Sequence, residues 1–405
     1  MPEPVVAIAG CGAISAVGHG VEPLLTALKS NASGLRHCER FNQARFQSAI
    51  VGAALDESTL TDDPAHQLAT SALREAIYDF GRARHSVRAA APSVPNGTHR
   101  VARPTLDIPP DRIGLVLSTT KANIEALERL SDGHPCSEVA RRHLQPDLLA
   151  TDLAAENSAR GPVQTISLAC VSGLVALMQG AKLIQRGAAD AVLVVGVDHL
   201  SAFVMAGFTS LKAIDPAGCR PFDRDRCGLT PGEAGAAIML VRGDLAAPDA
   251  VHIRGWGSSN DANHMTGPSR DGSGLAQAIR IALDSAHITA RDIDYINVHG
   301  TGTPYNDAME SAALRTVFGE HCPPVSGLKG MLGHTLGAAG VVETIACVLA
   351  MQERLLPGTP RLSHPAEGAP ASLLSAPRPA TRLKHVLKLN TGFGGANGAL
   401  ILHRT

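Results

Sequence analysis

Aromatic side chains are scarce in this chain: one Trp, three Tyr and eight Phe in 405 residues, 3% in all. Its core must therefore be filled by aliphatic and small side chains, and the 40 glycines permit close backbone packing. Net charge is lacking too. Lys and Arg number 36 against 37 Asp and Glu, so at −1 no whole-chain field favours nucleic acid or an anionic membrane. No run approaches the ~18 uninterrupted apolar residues of a membrane span. Met1-Pro2-Glu3-Pro4 puts no basic segment ahead of the first apolar run, so no secretory signal is expected. Cysteine pairs are missing as well. Cys11, Cys38, Cys136, Cys170, Cys219, Cys227, Cys322 and Cys347 include no CxxC and no regular spacing, which predicts reduced thiols in a cytoplasmic protein.

What is present describes a globular α/β chain. Apolar residues make 44% and charged residues 18%, and the length suggests two or three domains or one large unit in two halves. Short β-rich runs at 5–9, 113–117, 163–168, 191–197 and 236–241 alternate with helical patterns, and the alternation resumes after Pro248 at 251–255, 295–298, 386–389 and 399–402. Such βαβ repetition predicts a mainly parallel, buried sheet in two similar halves, 1–248 and 249–405. Residues 82–103 stand apart, with Arg82, Arg84, Arg88, Arg100 and Arg103 and no acid. They read as an exposed basic insertion, near 82–110, able to dock an acidic partner. The Asn96-Gly97-Thr98 sequon is discounted without a secretory context.

Four segments carry chemistry. Ala169-Cys170-Val171 leads into apolar residues at helical spacing, Leu174, Leu177, Ala181 and Ile184. This predicts Cys170 in the first turn of a buried helix, where the positive end of the macrodipole favours thiolate. Asn297-Val298-His299-Gly300-Thr301-Gly302-Thr303 is a strand end breaking into a loop, and parallel strands present ligand-binding groups at their carboxyl ends. Lys329 and His334 flank a glycine turn in Lys329-Gly330-Met331-Leu332-Gly333-His334. Asn390-Thr391-Gly392-Phe393-Gly394-Gly395 is a Gly-rich loop able to aim backbone N–H groups at an oxyanion. Each alone has a structural explanation: a core cysteine, a satisfied histidine, a surface lysine, a tight turn. Gly10-Cys11-Gly12-Ala13-Ile14-Ser15 ends in Ser where a dinucleotide loop needs Gly, and reads as a tight strand-to-helix turn. Cys219 and Cys227 have no matching pair elsewhere and read as structural, with no metal site expected.

In this order and over nearly the whole chain, the segments resemble the elongating β-ketoacyl-acyl carrier protein synthases of the thiolase superfamily. The resemblance implies a thiolase fold, duplicated halves forming a five-layer αβαβα sandwich. It also implies decarboxylative Claisen condensation in fatty acid or type II polyketide chain elongation. Cys170 would accept the acyl group. His299 and His334 would assist decarboxylation of malonyl-carrier protein through Nε2, and Lys329 would support them electrostatically. The backbone N–H groups of Cys170 and Phe393, with Gly392 and Gly394 beside them, would form the oxyanion hole, and the Phe393 side chain a gate faced by the loop at His264-Met265-Thr266. Thr301 and Thr303 would contact phosphopantetheine, and Glu310 and Glu343 would orient the active-site elements. No tightly bound cofactor is implied, because substrates ride on the phosphopantetheine of acyl carrier protein. The partners implied are that carrier and a second subunit, either a copy of this chain or a chain-length factor lacking the cysteine.

Departures point away from ordinary fatty acid elongation. Thr119, Thr120 and Lys121 stand where the family usually has a glycine-rich stretch lining the acyl pocket, and Val171 stands where Ser or Ala is usual. With the basic insertion they resemble synthases of specialised pathways, such as those building aryl polyenes. A thiolase-like CoA acyltransferase would need a second cysteine near the C-terminus, and none follows Cys347. A non-catalytic chain-length-factor-like subunit would have replaced Cys170.

Overall fold

A computed structural model describes residues 4–41, 46–86 and 107–405. Among the described residues the main sheet has eleven strands, ten of them side by side along its path: β1 (Val6–Ser15), β2 (Ile113–Ser118), β3 (Val163–Ile166), β4 (Ala191–Asp198), β5 (Ala234–Arg242), β6 (Val251–Asn260), β7 (Tyr295–Asn297), β8 (Val325–Ser326), β9 (His385–Thr391) and β10 (Ala396–His403). The order β1-β5-β4-β2-β3 recurs as β6-β10-β9-β7-β8. Each run steps antiparallel, antiparallel, parallel, parallel. The two runs meet where β1 pairs antiparallel with β6 through Val6 with Ile253, Ala7 with His252 and Ile8 with Val251.

The sheet is thus mixed, a correction to the mainly parallel expectation. The physical reason is visible at β9 and β10, which are joined only by residues 392–395, too few to cross over and return parallel. The buried, near-continuous apolar runs are as expected, since β4 and β5 are covered on both faces.

Six helices supply the layers: α1 (Pro64–Ser86), α2 (Pro146–Glu156), α3 (Ser172–Gln185), α4 (Ser273–Ala286), α5 (Pro304–Phe318) and α6 (Ala339–Glu353). α1 and α2 cover the outer face of the first run, and α4 covers that of the second with α5 packed on it. Between the two runs lie α3 and α6, each touching strands of both. The result is the duplicated αβαβα arrangement of the thiolase fold. α6 is buried from Ala339 to Met351, which is why it is apolar all round rather than amphipathic. The central pair packs through glycine: a Cβ on Gly340 would come within 2.2 Å of the Leu174 backbone nitrogen.

The Gly10-Cys11-Gly12 segment forms no strand-to-helix turn but lies inside β1. Cβ atoms on Gly10 and Gly12 would meet the carbonyl oxygens of Ala76 and Ala72 in α1, each at 2.1 Å. In β6 a Cβ on Gly257 would meet Ala278 O of α4 at 2.1 Å, and one on Gly255 would meet Ala286 N at 2.6 Å. Glycine here serves helix-to-sheet approach rather than phosphate binding. Most of the Arg-rich 82–103 segment, including Arg88, Arg100, Arg103 and the sequon, lies outside the described residues.

Candidate active site

Cys170 does not lie within the first helical turn as expected. α3 begins at Ser172 with Val171 as its N-cap, and Cys170 sits in the turn before it, after Ala169 at φ 44°. A non-glycine residue in the left-handed region is strained. Ser172 holds the turn, its Oγ accepting from Leu168 N–H at 2.7 Å and donating to Ala169 O at 2.6 Å. The sulfur is also no resting thiolate. Burial pushes the Cys170 thiol up to about 11; the Lys329 ammonium pulls it down, the Asp198 carboxylate pushes it up, and the N–H groups of Phe393 and Cys170 pull it down. Desolvation outweighs the helix end because the sulfur lies buried at the foot of its cavity.

Nε2 of His334 lies 3.0 Å from the Cys170 sulfur. Leu336 N–H donates to Nδ1 of the same ring at 3.2 Å, so Nδ1 is the acceptor and Nε2 carries the proton. The His299 ring sits edge-on to it, with centroids 5.0 Å apart. Two donors face His299 Nδ1, Asn390 Nδ2 at 3.0 Å and Lys329 Nζ at 3.1 Å, so its proton too resides on Nε2. Burial and the nearby Lys329 hold both rings well below the ordinary imidazole range, hence neutral at pH 7. Two N–H donors therefore point toward the space beside the sulfur.

A buried charge network supports them. Lys329 donates to His299 O at 2.6 Å and to Glu343 Oε1 at 2.8 Å, so with Nδ1 its three protons are all used. Lys388 Nζ lies 2.7 Å from the other Glu343 oxygen. Burial alone would raise the Glu343 carboxyl, yet the Lys329 and Lys388 ammonium groups hold it below its ordinary range. Lys388 carries no signal of its own in the sequence, and Asn390 stands out there only as the first residue of the glycine-rich segment. Alternation along β9 places them on one face two residues apart, a signal legible only once the strand is known to enter the site.

Glu310, on α5, accepts N–H from His299 at 2.6 Å and from Gly300 at 2.7 Å. Burial pushes its carboxyl up to about 7. Asp307, one turn earlier, accepts from Phe222 N–H at 2.7 Å and Gly302 N–H at 3.2 Å, tying the His299 loop to its surroundings. Thr301 and Thr303 pair hydroxyl to hydroxyl at 2.8 Å and line a cavity of about 530 Å³ that runs from Cys170 to the surface. Phe208, Tyr305, His264, Thr266 and Phe393 line it as well. Phe393 packs against Phe208 with ring centroids 6.2 Å apart. Gly394, at φ 82°, donates its N–H to Met265 O at 2.8 Å, which joins the Gly392-to-Gly395 loop to the His264 loop.

Thr119, Thr120 and Lys121 do not line that cavity in the single chain. They gather on buried Asp198, which accepts from Thr119 Oγ1 at 3.0 Å, Thr120 Oγ1 at 2.9 Å, Lys121 Nζ at 3.0 Å and Gly337 N–H at 2.6 Å. Cys219 is structural, its thiol 3.1 Å from Lys329 O, whereas Cys227 is exposed on the cavity wall. The Cys170 sulfur and one nitrogen of each histidine lie within 4.8 Å of one another, a spacing suited to a soft cation. The tautomers oppose it: metal ligation needs the Nε2 lone pair, and the donors on both Nδ1 atoms leave Nε2 protonated.

The sequence profile of the β-ketoacyl synthase N-terminal domain matches residues 3–246, and that of the C-terminal domain matches residues 250–363. The chain belongs to the β-ketoacyl synthase family. Among curated relatives, this ketosynthase is 32% identical to the tetracenomycin polyketide synthase ketoacyl synthase alpha subunit of Streptomyces glaucescens, over 99% of this chain and 97% of the relative. It is 31% identical to the 3-oxoacyl-[acyl-carrier-protein] synthase 2 of Vibrio cholerae, over 98% and 99%. Among solved structures, the ishigamide ketosynthase/chain length factor superposes with a TM-score of 0.86 at 29% identity, covering 100% of both chains. The ketosynthase ApeO, solved in complex with its chain length factor ApeC from Xenorhabdus doucetiae, gives 0.83 at 28% identity, covering 99% and 98%.

Proposed function

We propose that this ketosynthase condenses a carrier-bound acyl group with malonyl-carrier protein to give 3-oxoacyl-carrier protein, through the residue roles that follow. The observation that carries the reading is the convergence of two Nε2–H donors and two backbone N–H groups on the space around one buried thiol. In the first half-reaction the Cys170 sulfur bonds to the acyl carbonyl carbon, the thioester bond to phosphopantetheine breaks, and the thiol proton ends on the departing pantetheine sulfur. The N–H groups of Cys170 and Phe393 take the oxyanion of the tetrahedral intermediate.

In the second, malonyl-carrier protein enters along the cavity past Thr301 and Thr303. Its carboxylate leaves as CO₂, and the bond electrons pass into an enolate whose oxygen receives hydrogen bonds from Nε2 of His299 and His334. The enolate carbon attacks the Cys170 acyl carbonyl, the new carbon–carbon bond forms, and the sulfur departs as thiolate and takes up one proton from solvent, the proton the decarboxylative step consumes overall. Lys329, with Glu343 and Lys388 behind it, keeps both histidines neutral and supplies positive charge as the enolate develops. Glu310 holds the His299 backbone, and Phe393, with Gly392 and Gly394 as its hinges, gates the acyl group.

The halves 1–248 and 249–405 are the units of the duplication, one bringing the cysteine and the other the histidines and lysine. Acyl carrier protein is the substrate carrier, and a chain-length-factor-like subunit is the second chain, by likeness to relatives solved with such partners. The relatives named for polyketide synthases favour specialised type II chain elongation, and we place the enzyme in the cytoplasm. The Asp198 cluster with Thr119, Thr120 and Lys121 forms the acyl-pocket wall only in that assembly. Intact-mass analysis of carrier protein after incubation with acyl- and malonyl-carrier protein tests the reading. A 3-oxoacyl product is expected from the wild type and none from Cys170→Ala; product from the variant refutes the role of Cys170.

A further inference from the structure

The buried amide of Asn390 has one side-chain hydrogen bond to the catalytic centre, from Nδ2 to His299 Nδ1 at 3.0 Å, while its Oδ1 meets no protein donor among the described residues. The reversed amide is excluded by charge. Oδ1 against Nδ1 would require a proton on Nδ1, and that proton would face the Lys329 ammonium 3.1 Å away. Asn390 is therefore a donor to a lone pair that it shares with Lys329. Of the three Lys329 contacts, the one to Nδ1 is the longest, against 2.6 Å to His299 O and 2.8 Å to Glu343. Asn390, on a short stem from a buried strand, makes the closer contact.

We propose that Asn390 is a positioning residue for the decarboxylation step, holding His299 in the Nε2–H tautomer that the enolate oxygen needs. This rests on the condensation reading above. His299 does not touch the Cys170 sulfur through the bond that His334 makes, so losing Asn390 separates the two half-reactions. Acylation of Cys170 proceeds, and release of CO₂ from malonyl-carrier protein slows. Where a catalytic histidine loses the group that sets its tautomer, the rate loss reaches about 10⁴-fold. Here Lys329 remains on Nδ1, and about 10- to 100-fold is expected.

The test uses the full chain with Asn390→Leu, close in volume without a donor, and Asn390→Asp, which puts an acceptor in the same place. Three quantities are measured: CO₂ released from malonyl-carrier protein, the rate of Cys170 acylation from octanoyl-carrier protein by intact mass, and the His299 tautomer by ¹⁵N NMR of histidine-labelled protein. Asn390→Leu should keep acylation within about twofold, cut CO₂ release by about 10- to 100-fold, and weaken the Nε2–H signature. Asn390→Asp should shift that signature to a protonated Nδ1. Wild-type CO₂ release by Asn390→Leu would overturn the proposal. An equal fall in both half-reactions with His299 unchanged would overturn it too. If the wild type itself releases no CO₂, the condensation reading fails, and the NMR signature still decides whether Asn390 sets the tautomer.

Discussion

The Cys170 sulfur accepts a hydrogen bond from His334 Nε2 across 3.0 Å, because Leu336 N–H already occupies Nδ1 of the same ring. His334 is thereby fixed as a donor to sulfur and, once the acyl group is in place, to a developing oxygen. It does not serve as the base that strips the thiol.

The reactivity of Cys170 should follow from this. With the thiol pushed up to about 11 by burial, the thiolate fraction at neutral pH is small. Alkylation by iodoacetamide, followed by intact mass, should accelerate roughly tenfold per pH unit from 7 to 9. Cys170→Ala should remove that adduct. A rate that levels off below pH 8 would mean that the sulfur is already thiolate and that burial does not control it.

Among the described residues Glu343 is the single carboxylate paired with two buried ammonium groups, Lys329 at 2.8 Å and Lys388 at 2.7 Å. Glu343→Gln leaves two cations without a counter-charge and should cost about 3–5 kcal/mol. Lys388→Met leaves the Lys329 pair intact and should cost less. Because the Glu343 carboxyl is held below the ordinary 4.5, its contribution is present above that pH and is lost as pH falls through the lowered value. Denaturant unfolding of both variants at pH 7, with acid titration of the wild type, checks the order and the sign.

His143 is pinned from both sides, Nδ1 to Asp63 at 2.5 Å and Nε2 to Asp152 at 3.0 Å. Both ring nitrogens donate only in the imidazolium. Burial opposes that form, but hydrogen bonds to Asp63 and Asp152 prevail and raise the pKa above 6.5. The stabilisation is therefore full below pH 6.5 and is lost as pH rises through the raised value. The melting temperature of the wild type should fall over that range relative to His143→Gln; parallel curves would remove the clamp.

The crossing of α3 and α6 leaves no room at Gly340, where a Cβ would meet the Leu174 nitrogen at 2.2 Å. Gly340→Ala should destabilise by about 1–3 kcal/mol through overpacking. At Gly207, in the helix Ala202–Ser210, an added methyl would find nothing within 4 Å, so Gly207→Ala should be neutral or stabilise by about 0.5–1 kcal/mol. Equal melting temperatures for the two variants would contradict the close crossing.

The α/β class was legible because period and composition are local. Runs such as 191–197 are apolar throughout, and Leu174, Leu177, Ala181 and Ile184 recur at helical spacing. The strand pairing sense was not, since it depends on connections such as residues 392–395 being too short to cross over. The Gly10 and Gly12 pair misled for a related reason. Its partner, α1, begins about fifty residues later, and nothing local says that glycine there makes space for a helix.

The sequence by itself determined the residue types and the order in which they are met: one cysteine before an apolar helix, then His299, Lys329, His334 and the Phe393 loop. Those are covalent facts, and together with the resemblance they point to acyl transfer. Only the tertiary structure decided protonation. Whether Cys170 rests as thiol or thiolate, and which nitrogen of each histidine holds the proton, depends on desolvation and on donors from Leu336, Lys329 and Asn390. These lie close in space but up to 91 residues away in sequence, as Asn390 is from His299. Electrostatic energies vary with distance and burial, and neither quantity is written along the chain.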